Sequence, residues 1–474
     1  MSTTNSIISH KGYSIRKSSL SFADLKSLKK DLTVTPIAHP DYPFVKAFGV
    51  YEEGQQWIRI PRKFGYDRYG EPDKNLLTDT TLPDKKWEFN GELRESQLVP
   101  RDTALEQLYK KTSGLLCIPT GGGKSVIFLS LMSLLKQRTC ILVHKSQLLE
   151  QWHSEIKRFL PNLRVGIIQQ KKKSFEEECD VYIIMIQTLL NMTSVPGNLF
   201  GLTCIDETHH IASCTFSQIL FKVNSKYVMG LTATPDRKDG LTKVIQWHLG
   251  DILYHERPDR RGQSTTFVEI YNYVPPRGIT PQKYAEMITK LCEDEQRNRY
   301  IIMALCSQLD KDVENKRRVL IMTERKAHAT NLYTTLKDIY KSERTCGLLL
   351  GGMRKEVMEK EMSKMILVAT YNLMSEGISI PQLNTILFAT PKRDVVQALG
   401  RIFRKTHTDI NPLIIDICDS ILKGQQAARL KTYNIELNSN IKVQYHSMDD
   451  LDDEESDDEV QTVSKKFSIL RVTW

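Results

Sequence analysis

The chain has 474 residues, of which 40% are hydrophobic and 26% charged, with a net charge of +9. At roughly 150 residues per domain that length calls for two to four domains, and no apolar run approaches the roughly 20 residues of a membrane span, which excludes a membrane-spanning helix protein. The opening MSTTNSIISHKGYSIRKSS lacks the continuous apolar segment and small-residue cleavage site of a secretory signal, so an intracellular location is expected.

Residues 1–88 mix strand-like stretches (LTVTPIAHP, AFGVYEE, QQWIRIPRKFG) with turn signals and end in a polar linker, which predicts a small α/β or mainly β accessory module. From about Leu93 the texture changes. LLCIP, a helix over 124–136, TCILVH, SQLLEQWHSEIKRFL, VYIIMI, LTCIDE and YVMGLTA alternate short β-branched runs with helix-period segments, the rhythm of βαβ units on a buried parallel sheet. After Tyr254 the basic, irregular ERPDRRGQ reads as a linker over 257–282, followed by the helix-period segment PQKYAEMITKLCEDEQRNRYIIMALCSQL. The βα rhythm then restarts with RRVLIMTE, CGLLLGG, MILVATYN, NTILFAT and PLIIDICD. The fold class is therefore α/β, with two tandem parallel-sheet domains over 89–256 and 283–440.

Residues 449–459, DDLDDEESDDE, hold nine acidic residues, and setting them aside doubles the positive balance of the remainder. A basic body suits a polyanion such as nucleic acid, whose binding is driven by phosphate contacts and counterion release; a solubilising surface excess is the alternative. The segment 441–474 is read as a disordered acidic tail that keeps a basic protein soluble, in preference to a nucleic-acid mimic. The nine cysteines include no C-x-x-C pair and sit mostly in apolar runs, as reduced core residues do.

Four motifs carry chemistry. SGLLCIPTGGGKSVIF reads strand, glycine-rich turn, then helix opening at Lys124, the context in which backbone N–H groups surround phosphates. Pro119, Thr120, Gly121, Gly122 and Gly123 form the loop, Lys124 meets the β- and γ-phosphates of ATP, and Ser125 meets Mg²⁺. Ile118 stands where the full G-x-x-x-x-G-K-[ST] pattern has its first glycine. In LTCIDETHH, Asp206 at a strand end suits Mg²⁺ and Glu207 suits the attacking water. His209 and His210 without a third ligand do not make a zinc site. GLTATPDRKDG offers Thr232 and Thr234 as strand-end hydroxyls able to relay the state of Asp206 and His209 to another surface. In QALGRIFRK, Gln397, Arg401 and Arg404 follow a strand, with the two arginines on one face if the segment is helical.

In this order the motifs resemble those of superfamily 2 helicases and translocases over about residues 90–430, with the nearest likeness to the XPB and UvsW group and to helicases of large DNA viruses, including the poxvirus transcript-release helicase and its asfarvirus counterpart. LRESQ resembles the adenine-side motif, with Arg94 and Gln97; IPTGGGKS motif I; TCILVHKSQLLEQW motif Ia; IDETHH a DEAH-like motif II with Thr208 in the alanine position; LTATP motif III; RRVLIMTER motif IV; ATYNLMSEGISIP motif V; and QALGRIFR motif VI. In motif V, Ser379 stands where relatives often have aspartate, and Lys238 stands where XPB relatives have glutamate.

The resemblance implies two RecA-like domains with ATP in the cleft between them and nucleic acid across their tops. It implies nucleotide contacts from Glu376, Gly377 and Gln397, and that closure brings Arg401 and Arg404 to the γ-phosphate. Lys145, Gln187, Thr188, Thr323, Arg325 and Thr370 are the implied nucleic-acid contacts, and His209, Thr232 and Thr234 the coupling residues. The expected function is an ATP- and Mg²⁺-dependent helicase or translocase acting as a monomeric motor, with DNA favoured over RNA, no membrane, and transcription or replication machinery as partners. If the protein is viral, host cytoplasm or virion is expected, with the nucleus also open. The alternatives are an RNA helicase or transcript-release factor with the same motor, and a nucleotide-switched binding module without productive hydrolysis.

Overall fold

The computed structural model describes residues 4–447 apart from 38–45, 84–85, 120, 171–174, 176–177, 197, 211–212, 235–239, 257–264, 277–283, 342, 375–379, 381, 404–408 and 438–439. The chain divides into two compact units, Met1–Arg257 and Pro258–Trp474.

The first unit carries two sheets. The amino-terminal one runs Glu52–Glu53, Trp57–Ile60, Gly12–Arg16, Ser6–Ser9, Lys74–Asn75, antiparallel except where the last strand pairs parallel with Ser6–Ser9. Its inward positions, Ile8, Tyr13, Ile15, Ile58 and Ile60, pack with Leu28 and Leu32 from the Phe22–Asp31 helix and its end. Ser21 caps that helix by accepting the Asp24 N–H at 3.1 Å, the service a serine hydroxyl performs for an otherwise unsatisfied first-turn donor.

This module is seated on the larger sheet. Arg62, buried at the start of the Arg62–Tyr69 helix, donates to Ser225 O at 2.8 Å, Lys226 O at 3.1 Å and Thr112 Oγ1 at 2.6 Å. Asn224 Nδ2 donates to Ser9 O at 2.8 Å, and Phe64 meets Trp247 edge-on at 5.5 Å. Burial lowers the Arg62 pKa to about 10, so the group stays charged at neutral pH and is held by neutral oxygens. Arg62→Ala would leave two main-chain carbonyls and a hydroxyl without their donor inside the protein. It should lower the stability of the first unit by about 3 kcal/mol, read as a reduced urea midpoint; an unchanged midpoint would show that water replaces the guanidinium.

The larger sheet of this unit has seven strands, all paired parallel, in the order Val165–Ile168, Val181–Met185, Thr139–Val143, Leu202–Ile205, Tyr227–Thr232, Ser113–Cys117, Ile252–His255. The central strands are buried from end to end, which is why they read as unbroken apolar runs: helices cover both faces of a parallel sheet. Tyr227–Thr232 lies between Leu202–Ile205 and Ser113–Cys117, with Ile205 opposite Gly230 and Cys117 opposite Thr232. Three strand ends therefore deliver their loops to one edge of the sheet, where α/β folds bind ligands.

The second unit repeats the plan with Cys346–Leu349, Ile366–Thr370, Val319–Thr323, Thr385–Phe388, Leu413–Asp419, Thr266–Tyr273, Ile441–His446, again all parallel. Two sequence boundaries move. Thr266–Tyr273 lies inside the stretch read as a linker, yet it is an eight-residue strand between two others. Ile441–His446, read as the start of the tail, is the edge strand beside it, and its His446 meets Glu269 Oε2 at 2.6 Å. The single helical segment expected after the linker is two helices, Tyr284–Glu293 and Glu295–Asp310, because Asp294 leaves helical geometry and caps the second by accepting the Arg297 N–H. Buried Arg297 then pairs with Asp419, and buried Arg429 with Asp416, fastening helices to the strand Leu413–Asp419. No described helix is long and apolar enough to cross a membrane.

Candidate nucleotide site

The glycine-rich turn joins the strand Ser113–Cys117 to the helix Lys124–Leu135. Gly121 and Gly123 have φ of +88° and +82°, a left-handed region that a side chain disfavours by about 1 kcal/mol or more. Gly122 is required for space instead: a Cβ there would lie 2.5 Å from Ile118 Cγ2 and 3.2 Å from Pro119 O. Ile118 is fully buried and donates its N–H to Thr232 O at 3.0 Å. The position without the expected glycine is thus a core residue under the loop, and the glycine that makes room for it is Gly122.

Lys124, the first helical residue, donates from Nζ to Ile118 O at 3.3 Å. Ser125 follows it in the helix's opening turn, where unbonded backbone N–H groups favour anions. Behind the loop, Gln97 is buried; its Oε1 accepts the Arg94 N–H at 3.0 Å and its Nε2 donates to Gly122 O at 3.2 Å. Arg94 Nη2 lies 3.5 Å from Gly121 O. Arg94 and Gln97 therefore brace the loop from the start of the helix Glu95–Lys111.

Two strands away, Asp206 follows Leu202–Ile205. Its Oδ2 accepts the Trp152 indole N–H at 2.8 Å and its Oδ1 the Glu207 N–H at 2.9 Å. Burial, and then the neighbouring charge of Glu207, raise the Asp206 pKa to about 7 against the lowering effect of Trp152 and Lys124. A cation at the carboxylate would reverse that balance, and buried Asp206 with half-buried Glu207 beside it, next to a phosphate loop, fits Mg²⁺. Among the described residues no three His, Cys, Asp or Glu side chains gather to hold a metal. Two protein ligands with phosphate oxygens and water suit Mg²⁺ better than a zinc-type cage.

Glu207 adopts φ +46°, uncommon for a residue with a side chain, which turns it out of the strand direction. His209 Nδ1 lies 3.5 Å from Glu207 Oε2 and 2.8 Å from Thr232 Oγ1. The Thr232 hydroxyl donates to Thr234 O at 2.7 Å, which leaves His209 Nδ1–H as the donor to it. His209, Thr232 and Thr234 thus form one hydrogen-bonded chain, with Glu207 Oε2 beside its His209 end. Thr208 is buried, bonded to Ile205 O, and a Cβ at Gly230 would lie 2.8 Å from its hydroxyl; the bulk added in the alanine position is accommodated by glycine on the next strand.

The positions expected at nucleic acid divide. Lys145 is the residue before the helix Ser146–Phe159 and is half-buried, and exposed Gln187 donates to His144 O at 3.2 Å, so both stand at the same carboxyl edge as the nucleotide loop. Thr188 is buried, and its hydroxyl accepts the Gln170 N–H. In the second unit Thr323 and Thr370 pair across strand ends, but both are buried, and Thr323 Oγ1 is 2.8 Å from His328 Nδ1. Thr188 sits within the short helix Ile186–Leu190, and Thr323 and Thr370 are the last residues of their strands, so all three lie among packed neighbours. Arg325 spends Nη2 on Ala285 O at 2.8 Å. Arg401 is buried in the helix Val396–Ile402. Thr120, Glu376, Gly377, Arg404 and the side chain of Gln397 lie outside the described residues.

Sequence reasoning missed Trp152, held by its indole N–H, and Glu256. Glu256 donates its N–H to Cys117 O at 2.8 Å, and its Oε2 would lie 3.5 Å from a Cβ at Gly122. The only signal for Trp152 was an indole within an amphipathic helix, since a buried indole N–H needs an acceptor.

Residues 90–237 match the family described as type III restriction enzyme, res subunit, and residues 300–406 match the helicase conserved C-terminal domain. A protein of Acanthamoeba polyphaga mimivirus, provisionally named an ATP-dependent RNA helicase, is 28% identical over 464 residues, covering 93% of this chain and 88% of its own. The DNA 3'-5' translocase XPB2 of Sulfurisphaera tokodaii is 24% identical over 416 residues, covering 78% and 90%. Among solved structures, the ATP-dependent type ISP restriction-modification enzyme LlaBIII bound to DNA superposes with a TM-score of 0.54 at 14% identity, covering 81% of this chain and 33% of its own, a likeness of fold.

Proposed function

Because this chain belongs to the superfamily 2 helicases and translocases, whose members are nucleic-acid-dependent ATPases, we propose that it is a motor that spends ATP to move along or separate the strands of DNA. The observation that carries this reading is the single edge of the first unit's sheet at which Lys124, Asp206, Glu207 and the His209–Thr232–Thr234 chain meet. The phosphate clamp, the acid pair and a route for reporting hydrolysis onward all lie within it, which disfavours a binding module that only switches.

In this reading the turn N–H groups and Lys124 bind the β- and γ-phosphates, while Ser125 and Asp206 hold Mg²⁺, which neutralises phosphate charge during the transfer. Glu207 orients a water and takes its proton as the new oxygen–phosphorus bond forms and the bond to ADP breaks. His209, bonded to Thr232 and beside Glu207, passes the change of charge toward residues 234–239. Arg401 and Arg404 are assigned by the family likeness to the γ-phosphate, where arginine stabilises the transferring phosphoryl group.

DNA is preferred on the strength of the basic body and the likeness to the XPB group; the mimivirus relative's name favours RNA. ATP turnover should rise at least about tenfold with single-stranded or duplex DNA and less with RNA, measured by phosphate release at matched nucleotide concentration. Stimulation by RNA alone would transfer the reading to an RNA helicase or transcript-release factor. No stimulation by any nucleic acid would sink the motor reading.

A further inference from the structure

Trp152 belongs to the helix Ser146–Phe159, which begins directly after Lys145. Its indole is almost fully buried and touches two other elements of the site. The ring meets Phe128 edge-on, with centroids 5.8 Å apart and planes at 88°. Phe128 lies on the helix that opens with Lys124 and Ser125. The Trp152 indole N–H donates to Asp206 Oδ2 at 2.8 Å.

An indole N–H can only donate, and a buried one needs its acceptor. A shift of this helix therefore either carries the Asp206 carboxylate with it or breaks the bond. The helix's starting turn is bonded to a second element as well, since Gln187 Nε2 donates to the carbonyl of His144. Lys145 and Gln187, half-buried and exposed at this turn, thus sit at one end of a rigid rod that touches Asp206 two helical turns further on.

The geometry points to Trp152 as a positioning residue that carries nucleic-acid engagement at the start of this helix to the Asp206 carboxylate, and so to the cation and the γ-phosphate. This rests on the nucleic-acid-dependent motor proposed above. Coupling of this kind is reciprocal: nucleic acid tightens magnesium-dependent nucleotide binding, and the magnesium–nucleotide complex tightens nucleic-acid binding by the same factor. The link needs no moving loop, only a packed helix and one hydrogen bond.

The test compares the full-length native chain with Trp152→Phe, which keeps an aromatic ring against Phe128 and removes the N–H. Three quantities are measured with and without duplex DNA: ATP turnover, the affinity for a fluorescent ADP analogue in Mg²⁺ and in EDTA, and DNA affinity by fluorescence anisotropy. The expected result is unchanged DNA affinity without nucleotide, a fall in unstimulated turnover limited to the weaker Mg²⁺ binding that follows from losing the bond that lowers the Asp206 pKa, and a ratio of stimulated to unstimulated turnover reduced at least about tenfold. The magnesium-dependent part of ADP-analogue affinity should no longer respond to DNA, while affinity in EDTA stays as in the native chain.

Trp152→His keeps a ring N–H and should recover part of the response; it also carries the test if the phenylalanine variant does not fold. Native-like stimulation in Trp152→Phe would overturn the proposal. So would a parallel fall in stimulated and unstimulated rates with weaker binding in EDTA, which marks a packing role alone. If the native chain itself is not stimulated by any nucleic acid, the motor reading fails and this proposal with it.

Discussion

Replacing Glu207 with glutamine is expected to leave a protein that binds ATP as the native chain does and hydrolyses it about a thousandfold more slowly. Glutamine keeps the length and shape of the side chain, so the left-handed turn at φ +46° and the backbone N–H donated to Asp206 Oδ1 are retained. What is lost is the site that accepts the water's proton. The amide also removes the negative charge that, after burial, is the second cause raising the Asp206 pKa. Asp206 then ionises more readily, and cation and nucleotide binding should hold or tighten while turnover stops. Rapid-quench single turnovers should show bound, uncleaved ATP, and equilibrium binding of a fluorescent ATP analogue should match native or exceed it. Turnover within twofold of the native rate would remove Glu207 from the general-base role and leave the acid pair as a cation site only.

What the chain reveals on inspection, and what it hides, follows from how far apart the cooperating residues are. The phosphate loop, the acid pair and the strand-end threonines each sit on a strand followed immediately by a turn, and strand, turn and helix opening are set locally. Their meeting at one sheet edge follows from parallel pairing alone. Bonds between distant residues are another matter. Trp152 reaches Asp206 across 54 residues, and Arg62 reaches Ser225 across 163; neither partner carries a pattern that names the other.

The strand Thr266–Tyr273 was hidden for a different reason. Its run TFVEIYNY is rich in β-branched and aromatic residues, but it follows the basic irregular ERPDRRGQ, whose composition masks the strand signal. Ile441–His446 reads as polar tail because it is an edge strand exposed along its four central residues and only half-buried at its two ends. Ile118 shows the reverse case, in which a local motif departs from its pattern and the reason lies four residues away in the room left by Gly122.

Lys124→Ala is expected to abolish measurable turnover while leaving the nucleotide-free protein as stable as the native chain or slightly more so. Lys124 stands at the first position of its helix, where the unbonded N–H groups already concentrate positive charge. A cation there opposes the helix dipole, and alanine has the higher helix propensity. In the absence of nucleotide the ammonium's partner is Ile118 O at 3.3 Å, a carbonyl beside the loop that water can reach once the side chain is gone. Little stability is therefore at stake.

With ATP the balance reverses. The lysine's charge-assisted bonds to phosphate contribute about 1.5–3 kcal/mol to binding, and a positioned donor to the charge that develops on the phosphoryl oxygens contributes a further hundredfold to thousandfold in rate. The variant also loses the charge that holds the Asp206 pKa down, so the cation is bound less well by the neighbouring strand. The two losses compound, because both act on the same phosphates. Thermal unfolding without nucleotide, ATP-dependent stabilisation and steady-state turnover together make the check. The expected pattern is an equal or higher midpoint, loss of most of the ATP shift, and turnover below detection. A variant that retained the ATP shift and more than a tenth of native turnover would show that the three glycines and the helix terminus hold the phosphates without the lysine.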